Sequence, residues 1–184
     1  MITIRGNAAR AYGHNVPVEG RNPIRLVVCK AVPAMIPKAW TDHALTRITA
    51  SAGDVVEAGG RHWQVSQANL DPDGKVTYLF KVDLKEGGER ILHEISIPQD
   101  EATLFACDPE GEPTIGDVVE MPDPNRPKKP LRAIARNSSN ACASQVFMPN
   151  GTIAYAPDRK AAQRATPETL AEAQALCAGR RPRR

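Results

Sequence analysis

The chain has 184 residues and a net charge of +3, which suits one domain or two small ones. No apolar run approaches the length of a membrane span and the start lacks an apolar signal core, so the sequence predicts neither a membrane span nor export. With 16 Pro, 13 Gly and only 4% aromatic residues, the composition is typical of short elements joined by turns and excludes a helical bundle.

The first third of the chain predicts one clear strand. Residues 24–30 read Ile-Arg-Leu-Val-Val-Cys-Lys, an apolar β-branched run bounded by prolines. Residues 37–44 predict a helical turn, and residues 45–49 alternate in polarity as a strand would.

The next segment predicts an antiparallel meander. Residues 54–58 and 61–67 read as strands, and Gly59-Gly60 between them suits a hairpin turn because both residues tolerate positive φ. Asp71-Pro72-Asp73-Gly74 predicts a second turn, since Pro presets φ and Gly supplies the left-handed position. Further strands are predicted at 76–84 and 91–97, with a turn at 86–89.

One short motif occurs twice. Gly-Asp-Val-Val-Glu stands at 53–57 and again at 116–120, and a Pro-(Asp/Asn)-Gly turn follows each copy, at 72–74 and 149–151. Two matches in the same order predict that one small β unit is used twice. Because each half alone would be marginally stable, we expect the two halves to pack together.

The two copies differ in length. The interval from the motif Asp to the turn residue runs from Asp54 to Asp73 in the first copy, and the corresponding interval from Asp117 to Asn150 is longer. The extra residues include a Pro/Lys-rich arm at 121–131, which predicts an extended, polyproline-like segment in place of the Gly-Gly hairpin.

The C-terminus is predicted to be helical. Asp158 would cap a short helix that ends at Arg164, and a second helix would begin at Thr166-Pro167 and end at Gly179. The expected organisation is a first β-barrel unit at 1–107, a second, degenerate β unit at 108–157 that carries the arm, and a helix with a basic tail at 158–184.

Signatures of catalysis are missing from the sequence, which has no dinucleotide fingerprint, phosphate-binding loop or nucleophile elbow. His93-Glu94 lacks the second His of a zinc motif, and Asp71–Gly74 lacks the remaining ligands of a calcium loop. The four scattered cysteines favour a reduced, cytoplasmic location. We therefore expect no enzyme, cofactor or metal site; a pairing of Cys29 with His93 is the catalytic alternative, and His62 and His93 are expected on strand surfaces.

The charge is unevenly distributed. Residues 1–121 carry −5 and residues 122–184 carry +8. This asymmetry predicts either an acidic or polyanionic partner for the basic part, or docking of that part on the acidic part of a neighbouring protomer. Non-specific nucleic-acid contact would then run through 122–136 and 180–184, although arginine-rich ends are also common as solubilising tails. The predicted contact residues are Arg126, Lys128, Lys129, Arg132, Arg180, Arg181, Arg183 and Arg184.

Residues 51–84 combine Gly-Asp, two apolar strand residues, a Gly turn, an aromatic-x-Val strand and an Asp-Gly turn. This pattern, about a fifth of the chain, resembles the small β-barrel of tailed-phage head–tail joining proteins and SH3-like barrels in general. The second copy departs from it by lacking the Gly-Gly turn and an aromatic residue at the position of Trp63. The resemblance implies a mainly β fold, an antiparallel meander forming one or two small SH3-like barrels with a short helical C-terminus. It also implies a non-enzymatic protein that assembles through loops, edge strands and chain ends.

The leading hypothesis is thus a non-enzymatic, oligomerising adaptor or structural protein, of the kind that connects head and tail in a phage virion. It would be cytoplasmic or incorporated in a virion, would form homo-oligomers with protein partners, and would not bind membranes. The alternative is a nucleic-acid-binding or anti-host-defence module of a phage or mobile element. A small hydrolase or metalloenzyme that uses His62, His93 and a cysteine is the third hypothesis.

Overall fold

The computed structural model describes residues 36–86, 89–139, 144–156 and 160–179, together with four short strands nearer the start of the chain. It is mainly β, with antiparallel strands in three sheets and a short C-terminal helix, which confirms the predicted fold class. One pair, β2 with β4, is parallel. The strands are β1 (Thr3–Ile4), β2 (Arg10–Ala11), β3 (His14–Asn15), β4 (Arg25–Val28), β5 (Val55–Ala58), β6 (Arg61–Gln64), β7 (Gln67–Leu70), β8 (Val76–Glu86), β9 (Glu89–Pro98), β10 (Thr103–Ala106), β11 (Val118–Met121), β12 (Leu131–Ala135), β13 (Asn137–Ser139), β14 (Gln145–Phe147) and β15 (Ile153–Tyr155), and the α-helices are α1 (Lys38–Ala44) and α2 (Pro167–Ala178).

Strands β5 to β10 form the first unit. The β5–β6 hairpin turns at Gly59 and Gly60, whose φ angles of 59° and 72° confirm the predicted Gly-Gly turn. Strand β8 then pairs with β7 along its first half and with β9 along its length. After a 3₁₀ turn at Gln99–Glu101, β10 returns to pair with β5. The last strand of the meander therefore lies beside the first.

Strands β11 to β15 form the second unit in the same chain order, although β14 pairs with β12 where β8 of the first unit pairs with β7. Each unit begins with a glycine in the left-handed region, Gly53 at φ 96° and Gly116 at φ 87°. The N–H of Gly53 donates to Val65 O at 2.8 Å, and the N–H of Gly116 donates to Ala135 O at 3.0 Å. The two copies of Gly-Asp-Val-Val-Glu thus occupy equivalent structural positions, as the repeat predicted.

Gln163 takes the place of β10 in the second unit. It bridges Val118 as Ala106 of β10 bridges Val55 in the first unit. The predicted short helix from Asp158 to Arg164 is therefore wrong for residues 160–164, while residues 157–159 lie outside the described part of the chain. The physical reason is that Val118 on the edge of β11 needs backbone partners, and an extended segment supplies both a donor and an acceptor to it.

The two units are joined by a self-complementary strand pair, β7 with β13. Ala68 lies opposite Ser138, its equivalent in the second unit, at the centre of the pair. On either side, the residue before the centre in one unit pairs with the residue after the centre in the other. The joint therefore has a pseudo-two-fold axis. Ser138 Oγ also accepts a hydrogen bond from the N–H of Ala52 at 2.9 Å. The paired residues are Gln67 with Ser139, Ala68 with Ser138 and Asn69 with Asn137.

Both units contribute to one main hydrophobic core. Trp63 and Phe80 of the first unit lie with ring centroids 5.7 Å apart, and the same cluster contains Ile134 and Phe147 of the second. Burial of each such side chain contributes roughly 1.5–3 kcal/mol. A shared core of this kind explains why the two halves pack together, as expected from their length. Helix α2 covers this core with Leu170, Ala173, Leu176 and Cys177.

The two Pro-(Asp/Asn)-Gly turns, unlike the two Gly-Asp-Val-Val-Glu motifs, do not occupy equivalent positions in the two units. The two turns have the same local structure: Gly74 donates to Asp71 O and Gly151 to Met148 O, both at 2.8 Å. They nevertheless join different strands, since the first connects β7 with β8 and the second connects β14 with β15. This difference and the longer connection between β11 and β12 together account for the unequal intervals between motif and turn in the two copies.

Sequence alternation at 45–49 predicted a strand, and this prediction is wrong, because the segment forms a turn and a bend. Two of its polar side chains, those of Arg47 and Thr49, are buried. Thr49 Oγ1 donates to Ile115 O at 3.1 Å, and Arg47 Nη2 donates to Ser51 Oγ at 3.3 Å. The pattern therefore reflects contacts with the loop before β11 and not strand pairing. The predicted strand at 24–30 and helical turn at 37–44 are confirmed as β4 and α1.

Candidate functional site

Two buried carboxylates lie where the units meet. Asp54 Oδ2 accepts the N–H of Ser51 at 2.7 Å, and its Oδ1 accepts the N–H of Asp108 at 2.9 Å. Asp117 Oδ2 accepts the N–H of Thr114 at 2.9 Å, and its Oδ1 accepts that of Ala165 at 2.7 Å. Each carboxylate therefore stabilises the turn before the first strand of its unit. It also binds the backbone of a second segment that lies beside this strand, at Asp108 in the first unit and at Ala165 in the second.

Two arginines adjoin Asp117. Arg164 Nη1 donates to Asp117 Oδ2 at 3.0 Å, while its Nη2 donates to the carbonyl oxygens of Pro109 and Gly111. Arg47 Nη2 lies 4.0 Å from Asp117 Oδ2, and its side chain is only 1% exposed. Within the described residues, Arg47 Nε and Nη1 have no hydrogen-bond partner. A buried guanidinium of this kind depends on the nearby carboxylate for its charge balance.

Titratable groups around these four residues are shifted toward their uncharged forms. Burial raises the pKa of Asp54. Burial, with Asp54 nearby, raises the pKa of the Cys107 thiol to about 12. Burial, followed by the charges of Arg47 and Arg164, lowers the pKa of His43. At neutral pH the thiol is therefore protonated and the imidazole is neutral.

The remaining candidates for chemistry lie apart from this cluster. His62 is exposed on β6, with its ring centroid 4.1 Å from that of Phe105 and its Nε2 3.7 Å from Glu57 Oε2. This position confirms the prediction of a strand-surface histidine. His93 lies on β9, whereas Cys29 is outside the described residues, so their pairing stays a prediction. In the described part of the chain, no group of three or more His, Cys, Asp or Glu side chains is arranged to hold a metal ion.

The Pro/Lys-rich segment forms a compact hairpin loop between β11 and β12, here named the basic loop (residues 122–130). The predicted extended arm is wrong, because two consecutive turns fold it: Arg126 N donates to Asp123 O at 3.1 Å, and Lys129 N donates to Arg126 O at 2.9 Å. The Asp123 carboxylate stabilises the first turn by accepting the N–H of Asn125 at 2.9 Å. Arg126, Lys128 and Lys129 are all exposed in this loop.

The other predicted contact residues fall into two groups. Arg132 lies on β12 and donates from Nη1 and Nη2 to the two carboxylate oxygens of Glu172 on α2, each at 3.2 Å. This bidentate pair fastens α2 to the second unit and separates Arg132 from the basic loop. The predicted tail contacts lie outside the described residues: Arg180, Arg181, Arg183 and Arg184.

An open groove runs between the end of α2 and the turn that joins β14 to β15. Its volume is about 550 Å³. The groove adjoins the Arg132–Glu172 pair, because Glu172 forms part of its wall. The lining residues are Asn150, Gly151, Glu172, Ala175, Leu176 and Gly179.

The outer edge of β15, here named the β15 edge (residues 152–156), carries exposed apolar side chains. Tyr155 is 65% and Ile153 is 39% exposed. Strand β15 pairs with β14 on one side, and among the described residues no strand pairs with its other side. In the sequence this segment stands out only as part of the turn repeat, and its uncharged Thr-Ile-Ala-Tyr-Ala run is the signal that could have marked it.

Comparisons of the chain with protein-family models, with curated proteins and with solved structures found no match. Among the helices within the described ranges, none combines the length and apolar character needed to span a membrane.

Proposed function

We propose that this chain is a non-enzymatic adaptor, a rigid doubled β scaffold that holds protein partners together in an assembly. The observation that carries this proposal is the self-complementary β7–β13 joint, flanked by the buried Asp54 and Asp117 carboxylates. Such a joint fixes two similar units in one orientation and presents their outer surfaces on a single body. A role in a phage particle, as a component of the head–tail connector type, follows from the resemblance of residues 51–84.

The use of the buried polar groups supports a structural role. Asp54 and Asp117 each accept two backbone hydrogen bonds, and Arg164 binds loop carbonyls as well as Asp117. Groups that would otherwise be candidates for acid–base chemistry thus satisfy backbone atoms in turns. Perturbed ionisable groups also occur in structural networks, and the backbone hydrogen bonds of Asp54 and Asp117 fit such a network.

The basic loop is the proposed contact with an acidic partner surface. Arg126, Lys128 and Lys129 project from two preformed turns, so little chain ordering is needed on binding. In the described residues, none of the three forms an ion pair with another side chain, which leaves their charges available to a partner.

Nucleic-acid binding is the second candidate function, and the same loop favours it. Three exposed cations could neutralise phosphates, and the affinity would then fall with salt with a slope of about three on logarithmic axes. This function predicts binding to short duplex DNA that is strong at about 50 mM salt and weak at about 200 mM.

Light scattering on a sizing column, with and without short duplex DNA at those two salt concentrations, tests both functions. We expect a defined oligomer without DNA. The triple substitution Arg126→Gln, Lys128→Gln and Lys129→Gln removes the loop charges, and Lys38→Gln, Lys75→Gln and Lys160→Gln is the matched control with equal charge loss elsewhere. DNA binding lost only in the loop variant would establish the second function. A wild-type monomer at tens of micromolar that binds no assembly partner would contradict the adaptor proposal.

A further inference from the structure

We propose that the β15 edge is a self-association surface, on which two copies of this chain pair their β15 strands antiparallel about a two-fold axis. Ala154 would lie opposite Ala154 of the second copy, and Ile153 opposite Tyr155 of the second copy. This inference deepens the proposed adaptor function and rests on it, because it names the surface through which one copy of the scaffold binds a second copy.

The backbone of β15 is oriented for such pairing. Met148 N donates to Thr152 O at 2.8 Å, and Ala156 N donates to Ser144 O at 3.0 Å, so Thr152 and Ala156 face β14. In an antiparallel pair, successive residues alternate between facing the partner strand and facing away from it. The N–H and C=O groups of Ile153 and Tyr155 therefore point outward, where they can exchange hydrogen bonds with Tyr155 and Ile153 of a second copy.

The first unit shows that the equivalent edge accepts a strand. Ser66 N donates to Leu79 O and Arg136 N donates to Gln145 O, both at 2.8 Å, which makes β8 equivalent to β14 and β9 equivalent to β15. The outer edge of β9 is paired antiparallel with β1. Within the described residues, β15 has no such neighbour. Since β1 of each chain is engaged with its own β9, β15 of a second copy is the occupant that two identical chains can supply.

The side chains at this edge suit an apolar, self-complementary contact. Ile153 and Tyr155 are exposed, and antiparallel pairing places each beside the other type across the axis. Residues 152–156 contain no charge and no proline, the features that usually protect an exposed strand edge from pairing.

The chain already contains a joint of the proposed form. In the β7–β13 pair, two short equivalent strands meet about a pseudo-two-fold axis with the small residues Ala68 and Ser138 at its centre. The proposed joint has the small residue Ala154 at its centre. Because so short a strand pair alone buries less than the roughly 1,200 Å² of a standard stable interface, we expect a dimer that dissociates on dilution.

Disulfide trapping tests the register. Ala154→Cys would place two thiols in a non-hydrogen-bonded pair, where Cα atoms are about 4.5 Å apart, within the range for a disulfide. Ile153→Cys is the matched control, because its symmetry mate is displaced along the strand. We expect mild oxidation of the purified full chain to give a covalent dimer for Ala154→Cys well above the wild-type and Ile153→Cys levels. Equal trapping of the two variants, or none, would overturn the inference.

Sedimentation velocity over a concentration series gives an independent test. Ile153→Pro removes an outward N–H without removing a bond to β14, and Tyr155→Lys adds a charge to the edge. Leu45→Lys, at a position 86% exposed just after α1, is the control. We expect each edge variant to weaken dimerisation at least tenfold with an unchanged melting temperature, and the control to dimerise as wild type.

These outcomes separate the inference from the adaptor function. If the edge variants keep the wild-type oligomer, the β15 assignment fails and the adaptor function stands on another surface. If the wild-type chain stays monomeric up to hundreds of micromolar, the β15 assignment fails. The adaptor function then stands only if the basic loop binds a protein partner.

Discussion

Asp54 and Asp117 make equivalent pairs of hydrogen bonds at equivalent positions of the two units, but in the described part of the chain only Asp117 accepts a hydrogen bond from an arginine, Arg164. Arg47 also lies 4.0 Å from Asp117, while toward Asp54 its charge lowers the carboxyl pKa less than burial raises it. The repeat is therefore symmetric in its backbone contacts and asymmetric in its charge balance. The second unit holds the carboxylate on which the buried arginine depends.

Asp117→Ala should cost about 3–5 kcal/mol of unfolding free energy, because it leaves the Arg47 guanidinium buried without its counter-charge. Asp54→Ala removes two backbone bonds without leaving an arginine unpaired, so its cost should be smaller. Urea denaturation measures both, with Glu110→Ala on the exposed loop as a control expected to stay within about 0.5 kcal/mol. Equal costs for the two aspartates would contradict the charge asymmetry.

The two motif glycines should differ in their tolerance of alanine. Both have positive φ, so each substitution carries a backbone cost of roughly 1–2 kcal/mol. A Cβ at Gly53 would meet no atom within 4 Å, whereas a Cβ at Gly116 would lie 3.1 Å from Ala165 Cβ and from Leu170 Cα. Gly116→Ala should therefore be destabilising by about 1–3 kcal/mol more than Gly53→Ala. Thermal unfolding of the matched pair measures this difference. Equal melting temperatures would show that the start of α2 shifts to make room for the added Cβ.

His43 should make the protein less stable in mild acid. Its folded pKa lies below the ordinary value of 6.5, because burial and the charges of Arg47 and Arg164 outweigh the opposing Asp108 and Asp117. The unfolded chain therefore binds the proton more readily, and the contribution present above that ordinary value is lost as the pH falls below it. Unfolding free energies at pH 7.5 and 5.5 should differ less for His43→Gln than for wild type. An unchanged difference would show that the imidazole is not desolvated.

Cys107 should react slowly with iodoacetamide in the native state. With a pKa of about 12 and full burial, its thiolate fraction at pH 8 is on the order of 10⁻⁴, whereas an unfolded cysteine is partly ionised at that pH. We expect alkylation of the peptide containing Cys107 to be at least a thousandfold slower in native protein than in urea, as followed by mass spectrometry. Rapid native labelling would indicate that the buried cluster opens to solvent.

Local signals predicted much of this fold. Thr166, Pro167 and Gly179 specify both ends of α2, and the structure confirms a capping box between Thr166 and Thr169. The Gly-Gly hairpin and the repeated Gly-Asp-Val-Val-Glu were equally clear, because their conformations depend on neighbours in sequence.

Contacts between distant segments could not be predicted in the same way. Strand β13 is short and polar, so no apolar alternation marks it, and β7 alternates over only four residues. Arg47 lies in a segment whose alternation suggested a strand, and its burial depends on the loop before β11, which is distant in sequence. The basic loop is compact because the Asp123 side chain and two backbone bonds fold it, which its proline content alone did not reveal.

The Ser138 hydroxyl, which bonds Ala52 at the axis, has no equivalent in the first unit, where Ala68 stands. Two first units joined in the same way would place alanine on both sides and lose that bond twice, and two second units would carry two hydroxyls into the same space. The two halves are therefore complementary to each other at this joint, and neither half is complementary to a second copy of itself. Any assembly of whole chains must use outer surfaces, because β7 and β13 are already paired with each other within the chain.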